Sequence, residues 1–199
     1  WPDQLQRLHA AARQGAPDLP LVVSGACWGG MAGLEQIDPA RLGDDNLIYS
    51  FHSYDPFLFS HQSASWTDGP VRFFADVPYP PDQIDDALAA ALAAEARARA
   101  EGDGSTLAAT EFETAMSDYR GVGLAAVAAE VQRAATWADR NGIPRRRMLL
   151  GEFGAIREDM SGARLPLSDR AEFLSDKRRA AEELGIGWAV WDWTGSFGI

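Results

Sequence analysis

The stretch RMLLGEFGA, residues 147–155, sets an apolar run directly before a carboxylate. A run of that length, reached from a helical pattern that Gly142 and Pro144 stop, predicts a strand over 147–151 with Glu152 at its exit. The arrangement repeats outward in the sequence. LPLVVS at 19–24 leads into GACWGG, LIYSF at 47–51 leads into HSYDPF, and GWAVW at 187–191 leads into DWTG. Helical patterns separate these runs. Residues 1–14 open with Pro2, carry Leu5, Leu8 and Ala12 on one face and stop at Gly15. Ile84, Leu88, Ala91 and Leu92 predict a helix over 82–100, and Leu124, Val127, Val131 and Ala135 predict one over 121–140. Asp169 and Glu172 have the spacing of a reciprocal N-terminal cap, which predicts a helix from there to Leu184.

Strands and helices in alternation, with strands that are nearly unbroken apolar runs, predict a parallel sheet covered by helices. A doubly wound sheet and a piece of a (β/α)8 barrel both satisfy this order. A whole barrel takes ~250 residues, more than the 199 here. No internal repeat or second domain stands out, so 1–199 reads as one domain. Polar and aromatic residues gather just after the strands, at SGACW, HSY, GEFG and WDW. In parallel α/β architectures that edge binds ligands.

Composition narrows the classes. The formal net charge is −11, from 29 acidic and 18 basic residues, with Lys177 the single lysine. Such a field repels phosphate backbones, so nucleic acid is not an expected partner. No apolar run reaches the ~18 residues of a membrane span, so no membrane partner is expected, and residues 1–14 lack the layout of a signal peptide. A lone Cys27 excludes an internal disulfide and reads as small buried filler. Gly29 and Gly30 make no phosphate-binding loop, and Ser24-Gly25 makes no nucleophile elbow. His9, His52 and His61 lack zinc-site spacing. No metal or cofactor is expected.

Glu152 is the strongest chemical signal. A carboxylate held at a strand exit, beside Phe153 and between Gly151 and Gly154, is placed as a nucleophile or general base, against the alternative of a salt-bridged surface acid. His52 and Tyr54, two residues apart in extended chain, point the same way and can hydrogen-bond sugar hydroxyls or orient a carboxylate. Trp28, Trp66, Trp191 and Trp193 concentrate at the same edge, whereas Trp1 and Trp137 read as helix packing. Indole faces suit the apolar faces of pyranose rings; a packed protein interface is the alternative.

The runs YSFHSYDPFLFSHQ, RMLLGEFGA and GWAVWDWTGSFGI together resemble the last third of a family 5 glycoside hydrolase, the cellulase-like family of retaining β-glycosidases. The resemblance implies a (β/α)8 barrel of which this chain carries strands five to eight, and thus the C-terminal half of a single barrel domain. It implies that Glu152 is the catalytic nucleophile after strand seven. His52 and Tyr54 match the substrate-binding pair after strand six, Trp191 the sugar-stacking residue after strand eight, and Trp28 a position bordering the cleft after strand five. His61, Gln62 and Trp66 match a substrate-contacting loop of members that act on β-glucans.

The family's acid/base glutamate stands in an Asn-Glu-Pro motif after strand four, and no Asn-Glu pair occurs in this sequence. Residues WPDQLQRLHAAAR resemble the helix that follows strand four. The expectation is hydrolysis of a β-linked glycan, with the fragment inactive alone and partnered by the missing N-terminal half or by a copy of itself. The sequence leaves the location unknown, and a secreted or periplasmic parent protein is compatible with the resemblance. A non-catalytic carbohydrate-binding or structural half-barrel is the alternative.

Overall fold

Strands β1 (Leu21–Ser24), β2 (Leu47–His52), β3 (Met148–Glu152) and β4 (Gly187–Trp188) form one sheet in which each pairs in parallel with the next in sequence. The computed structural model describes residues 1–122, 125–159 and 161–198. The helices are α1 (Pro2–Gly15), α2 (Met31–Leu34), α3 (Pro39–Leu42), α4 (Phe57–Ser60), α5 (Asp86–Gly102), α6 (Ala109–Val122), α7 (Ala125–Arg140) and α8 (Leu167–Glu183). None of them is long and apolar enough to cross a membrane.

Two compact units divide the chain: residues 1–53, 130–152 and 179–189 make the first, and 54–129, 153–178 and 190 onward the second. The sheet belongs to the first. Leu47, Tyr49 and Phe51 alternate along β2 and are at most 1% exposed. With Val23, Met148 and Leu150 they build one buried face, the period-two pattern of a strand covered on that side. Trp137 packs on Tyr49 with ring centroids 5.2 Å apart, and Val131, Ala134 and Ala138 of α7 complete the layer. Burying each large side chain here contributes about 1.5–3 kcal/mol.

The opposite face differs from the expectation of strands buried on both sides. Val22 is 58% exposed, and its register partner Ile48 is only half-buried, as is Leu149. Ser50, on the same face further along β2, is by contrast 5% exposed.

Helix α1 is anchored by charge more than by its apolar stripe. Leu5 is buried, but Leu8 and Ala12 are exposed, contrary to the face read from the sequence. Instead Asp44 accepts from Arg13 Nε at 2.7 Å and lies 2.6 Å from His9 Nε2, while Arg13 also donates to the Asn46 carbonyl at 3.0 Å. Trp1 is 42% exposed, with its indole N–H donating to the Ser24 carbonyl at 3.3 Å.

The second unit has its own aromatic core of Phe59, Phe74, Tyr79, Phe112, Tyr119 and Phe173. Helix α6 lies between the two helices expected over 82–100 and 121–140. It forms because Phe112, Met116 and Tyr119 fall on one face and are all buried, although polar neighbours mask the pattern. Leu124, expected in the following helix, lies outside the described residues. In α5 the buried face is Ala89, Leu92, Ala93, Ala96 and Ala100, so Leu88 and Ala91 point outward. Helix α8 starts at Leu167, ahead of the expected cap; Asp169 instead accepts from the Tyr79 backbone N–H at 3.0 Å and from the Ser168 hydroxyl at 2.8 Å.

Candidate active site

His52 and Glu152 close β2 and β3 as register partners. An irregularity between Phe51 and His52 shifts the ladder by one residue and sets the two side by side. His52 Nδ1 lies 3.3 Å from Glu152 Oε2, with the side chains 22% and 26% exposed. Both are open enough to meet a ligand and enclosed enough to be held. The main chain fixes the pair, because the Ser53 N–H donates to the Glu152 carbonyl at 3.0 Å and the Ser53 hydroxyl reaches Glu130 Oε2 of α7 at 2.7 Å.

After β1 the chain makes a turn that the sequence did not suggest. Cys27, Trp28 and Gly29 all have positive φ, at 54°, 53° and 73°. Left-handed backbone at two residues that carry a Cβ costs about 1–2 kcal/mol each and is retained most often at functional sites. The turn throws Trp28 outward, to 95% exposure, and leaves Cys27 exposed rather than buried. Gly29 is required here: a Cβ would stand 2.7 Å from His52 Cε1, so the imidazole rests against bare backbone.

The other expected residues belong to the second unit. Phe197, overlooked in the sequence, is the common neighbour of Tyr54, His61 and Trp66. Its ring lies 5.6 Å from Tyr54, 5.1 Å from His61 and 6.0 Å from Trp66, centroid to centroid. Arg170 of α8 holds this run by donating to the carbonyls of Ala155, Phe197 and Gly198. Trp191, 49% exposed, is placed by its N–H, which donates to the Phe153 carbonyl at 2.9 Å. It lies beyond β4, which is shorter than the strand expected over 187–191.

Two expected ligand contacts are instead built into the scaffold. Gln62 is 2% exposed; its amide N–H group donates to the carbonyls of Phe59 and Val77, and its oxygen accepts from the Val77 N–H at 2.8 Å. It clamps the loop shut and offers nothing to a sugar. His61 is 8% exposed, stacked on Phe57 at 4.0 Å and edge-on to Tyr54 at 4.9 Å, with Nδ1 2.9 Å from the Ser60 hydroxyl. Burial pushes its pKa down to about 4, so the ring is neutral at pH 7. Trp66 is 57% exposed and remains available for contact. Among the described residues no group of three or more His, Cys, Asp or Glu is gathered to hold a metal ion.

A neighbouring imidazole and carboxylate at one strand edge, with the exposed indole of Trp28 following β1 in the same unit, can orient a nucleophile and bind a ring. Residues 1–196 match the family model of Cellulase (glycosyl hydrolase family 5). Endoglucanase 3 of Fibrobacter succinogenes is 30% identical over 159 residues, 78% of this chain and 21% of that protein. Among solved structures, cellulose synthase subunit Z of Clostridioides difficile aligns over 100% of this chain and 49% of its own, with TM-score 0.66 and 17% identity. Cel5A of Thermotoga maritima, solved with cellobiose, aligns over 100% of this chain and 50% of its own, with TM-score 0.60 and 20% identity. The chain thus spans about half the length of the solved structures and about a fifth of the curated relative. The four-stranded parallel sheet is that of a partial (β/α) barrel, and the chain belongs to glycosyl hydrolase family 5, the cellulase family.

Proposed function

We propose that this chain supplies the nucleophile-bearing half of a retaining β-glycosidase that cleaves β-linked glucan. The observation that carries the proposal is the His52–Glu152 pair, 3.3 Å apart at adjacent strand ends. Glu152 attacks the anomeric carbon as the glycosidic C–O bond breaks, forming a covalent glycosyl ester. Water then attacks the same carbon and releases the carboxylate. In the first unit His52 orients Glu152 and binds sugar hydroxyls, with Trp28 as a stacking face; in the second unit Tyr54 offers its hydroxyl, and Trp191 and Trp66 their indoles, to the glycan. His61 and Gln62 act through the loop they brace.

The double displacement needs a second carboxyl group ~5 Å from the first, to protonate the leaving oxygen and then take a proton from water. The sequence holds no Asn-Glu pair. In this reading that group comes from the other half of the barrel, which pairs with β1 and covers the face of Val22, Ile48 and Leu149; a second copy of the chain is the competing occupant. Glucan is favoured because relatives carry the name endoglucanase and Thermotoga maritima Cel5A was solved with cellobiose, although also with mannotriose.

The test is covalent trapping in the protein that carries both barrel halves. A 2-deoxy-2-fluoro-β-glucosyl fluoride slows both steps, and its fluoride leaves without acid assistance. The adduct is expected on the peptide containing Glu152. Labelling of another carboxylate overturns the assignment. Binding of glucan without any labelling favours a non-catalytic carbohydrate-binding role.

A further inference from the structure

The second unit carries a groove of which the catalytic reading uses only Trp66. One depression, about 300 Å³, is lined by Trp66 and Ile156 on its apolar side and by Ser65, Glu158, Asp159 and Ser196 on its polar side. A second, about 320 Å³, has Phe73 and Ala75 as apolar lining and Arg99, Asp103 and Ser161 as polar lining. The two share Ser63 and Asp159. Each lies at the small end of ligand-site volumes, fit for one ring rather than a cofactor.

The lining selects its ligand chemically. The three lining carboxylates leave little room for an anion: Arg99 already donates to the Phe73 carbonyl at 3.1 Å, Arg157 pairs with Glu158 at 3.2 Å and Arg72 with Asp103 at 3.6 Å, so Asp159 is the one of the three outside these ion pairs. A neutral polyol matches better: its C–H face covers the half-exposed indole of Trp66 while its hydroxyls donate to carboxylates, which only accept. The site is also preorganised. Asp159 Oδ1 accepts from the Ser161 N–H, the Ser161 hydroxyl and the Ala163 N–H, at 2.6–2.8 Å, and Oδ2 takes part in none of these bonds. The Arg157 N–H ties the same loop to the Ser196 carbonyl at 2.8 Å, and the Ser63 hydroxyl is tied to the Phe74 carbonyl at 2.8 Å. Burial alone would raise the Asp159 pKa, but the Ser161 and Ala163 hydrogen bonds outweigh it and hold the group ionised at neutral pH.

We propose that this groove is a second carbohydrate site that takes a neutral β-linked disaccharide unit, one ring per depression, with Trp66 as the stacking surface and Asp159 Oδ2 as the acceptor between the rings. The proposal rests on the carbohydrate reading given above, and extends it from the strand edge to residues of loops and of α5.

Cellobiose titration followed through the indole N–H resonances of the full chain tests it, with the Trp66 and Trp191 signals assigned by their disappearance in Trp66→Phe and Trp191→Phe. The Trp66 resonance is expected to shift saturably. Asp159→Asn is expected to weaken that titration about tenfold while leaving the Trp191 titration in place, and Trp66→Ala to lose about tenfold in affinity for the groove, read from an amide resonance of Ser65. A Trp191 resonance that titrates while Trp66 stays still overturns the groove and spares the catalytic reading. If neither resonance moves, the groove falls, and the catalytic reading is left to the trapping experiment on both barrel halves.

Discussion

The α-carbon of Gly154 faces the carbonyl oxygen of Trp191 so closely that a Cβ there would stand 2.0 Å from it. The obstacle is backbone, which cannot swing aside as a side chain can. Gly154→Ala must therefore push the Trp191 segment away from the loop after β3. The expected loss is about 1–3 kcal/mol of stability, with the fluorescence of Trp191 and its response to oligosaccharide altered. Gly121, near the end of α6, has open space around it. Gly121→Ala is expected to be neutral or stabilising by up to about 1 kcal/mol, and equal Tm values for the two variants would refute the packing argument.

Buried His61 makes stability depend on pH. Its folded-state pKa is pushed down from 6.5 to about 4. Between those values the unfolded chain binds the proton and the folded one resists it, so stability is complete above pH 6.5 and declines as pH falls toward 4. The decline is about 3 kcal/mol at most, from the size of the displacement. Denaturant titrations from pH 7 to 4 measure it. His61→Phe, which keeps the stack on Phe57, is expected to flatten that slope. An unchanged slope would assign the pH dependence elsewhere.

Asp44 serves two residues of α1 at once, and that helix buries little besides Leu5. Burial favours its neutral form, yet hydrogen bonds from Arg13, His9 and the Asn46 N–H prevail and hold its pKa well below the ordinary carboxylate range. Asp44→Ala is expected to cost about 2 kcal/mol, concentrated in α1. Hydrogen exchange there should quicken while exchange in β2 and β3 holds. Uniform loss of protection across the sheet would show that α1 is no separable layer.

What could be read from the sequence follows a physical divide. Tyr49, Phe51, Met148 and Leu150 are apolar because the local strand buries them, so strand type and order were legible, as were His52 and Glu152 where the apolar runs end. Helix α6 was hidden because its buried stripe is only Phe112, Met116 and Tyr119 in a polar stretch. The loop residues depend on partners remote in the chain. Gln62 is enclosed by bonding to Val77, and His61 by Phe197, neither of which is implied by the HQ pair itself. Cys27 read as core because cysteine usually is, and the left-handed turn that exposes it leaves no periodic trace.

The assignment of Glu152 has a stereochemical consequence. In the protein with both barrel halves, Glu152→Ala is expected to abolish the covalent step while glycan binding persists, since the stacking proposed for Trp191 and the hydrogen bonds proposed for His52 and Tyr54 do not require the carboxylate. Removing the side chain also opens a space beside His52, on the face of the sugar from which the carboxylate is proposed to attack. Azide fits such a space. With an activated aryl β-glucoside it should attack from that same face and yield an α-glucosyl azide, restoring release of the aryl alcohol in proportion to azide. The product's anomeric configuration, read by NMR, is the decisive measurement. His52→Ala should keep the nucleophile and lower kcat more than it raises KM, because the contact matters most as charge leaves the carboxylate. Ordinary turnover by Glu152→Ala, or a β-configured azide, would mean that another group attacks and that the carboxylate at the end of β3 only binds.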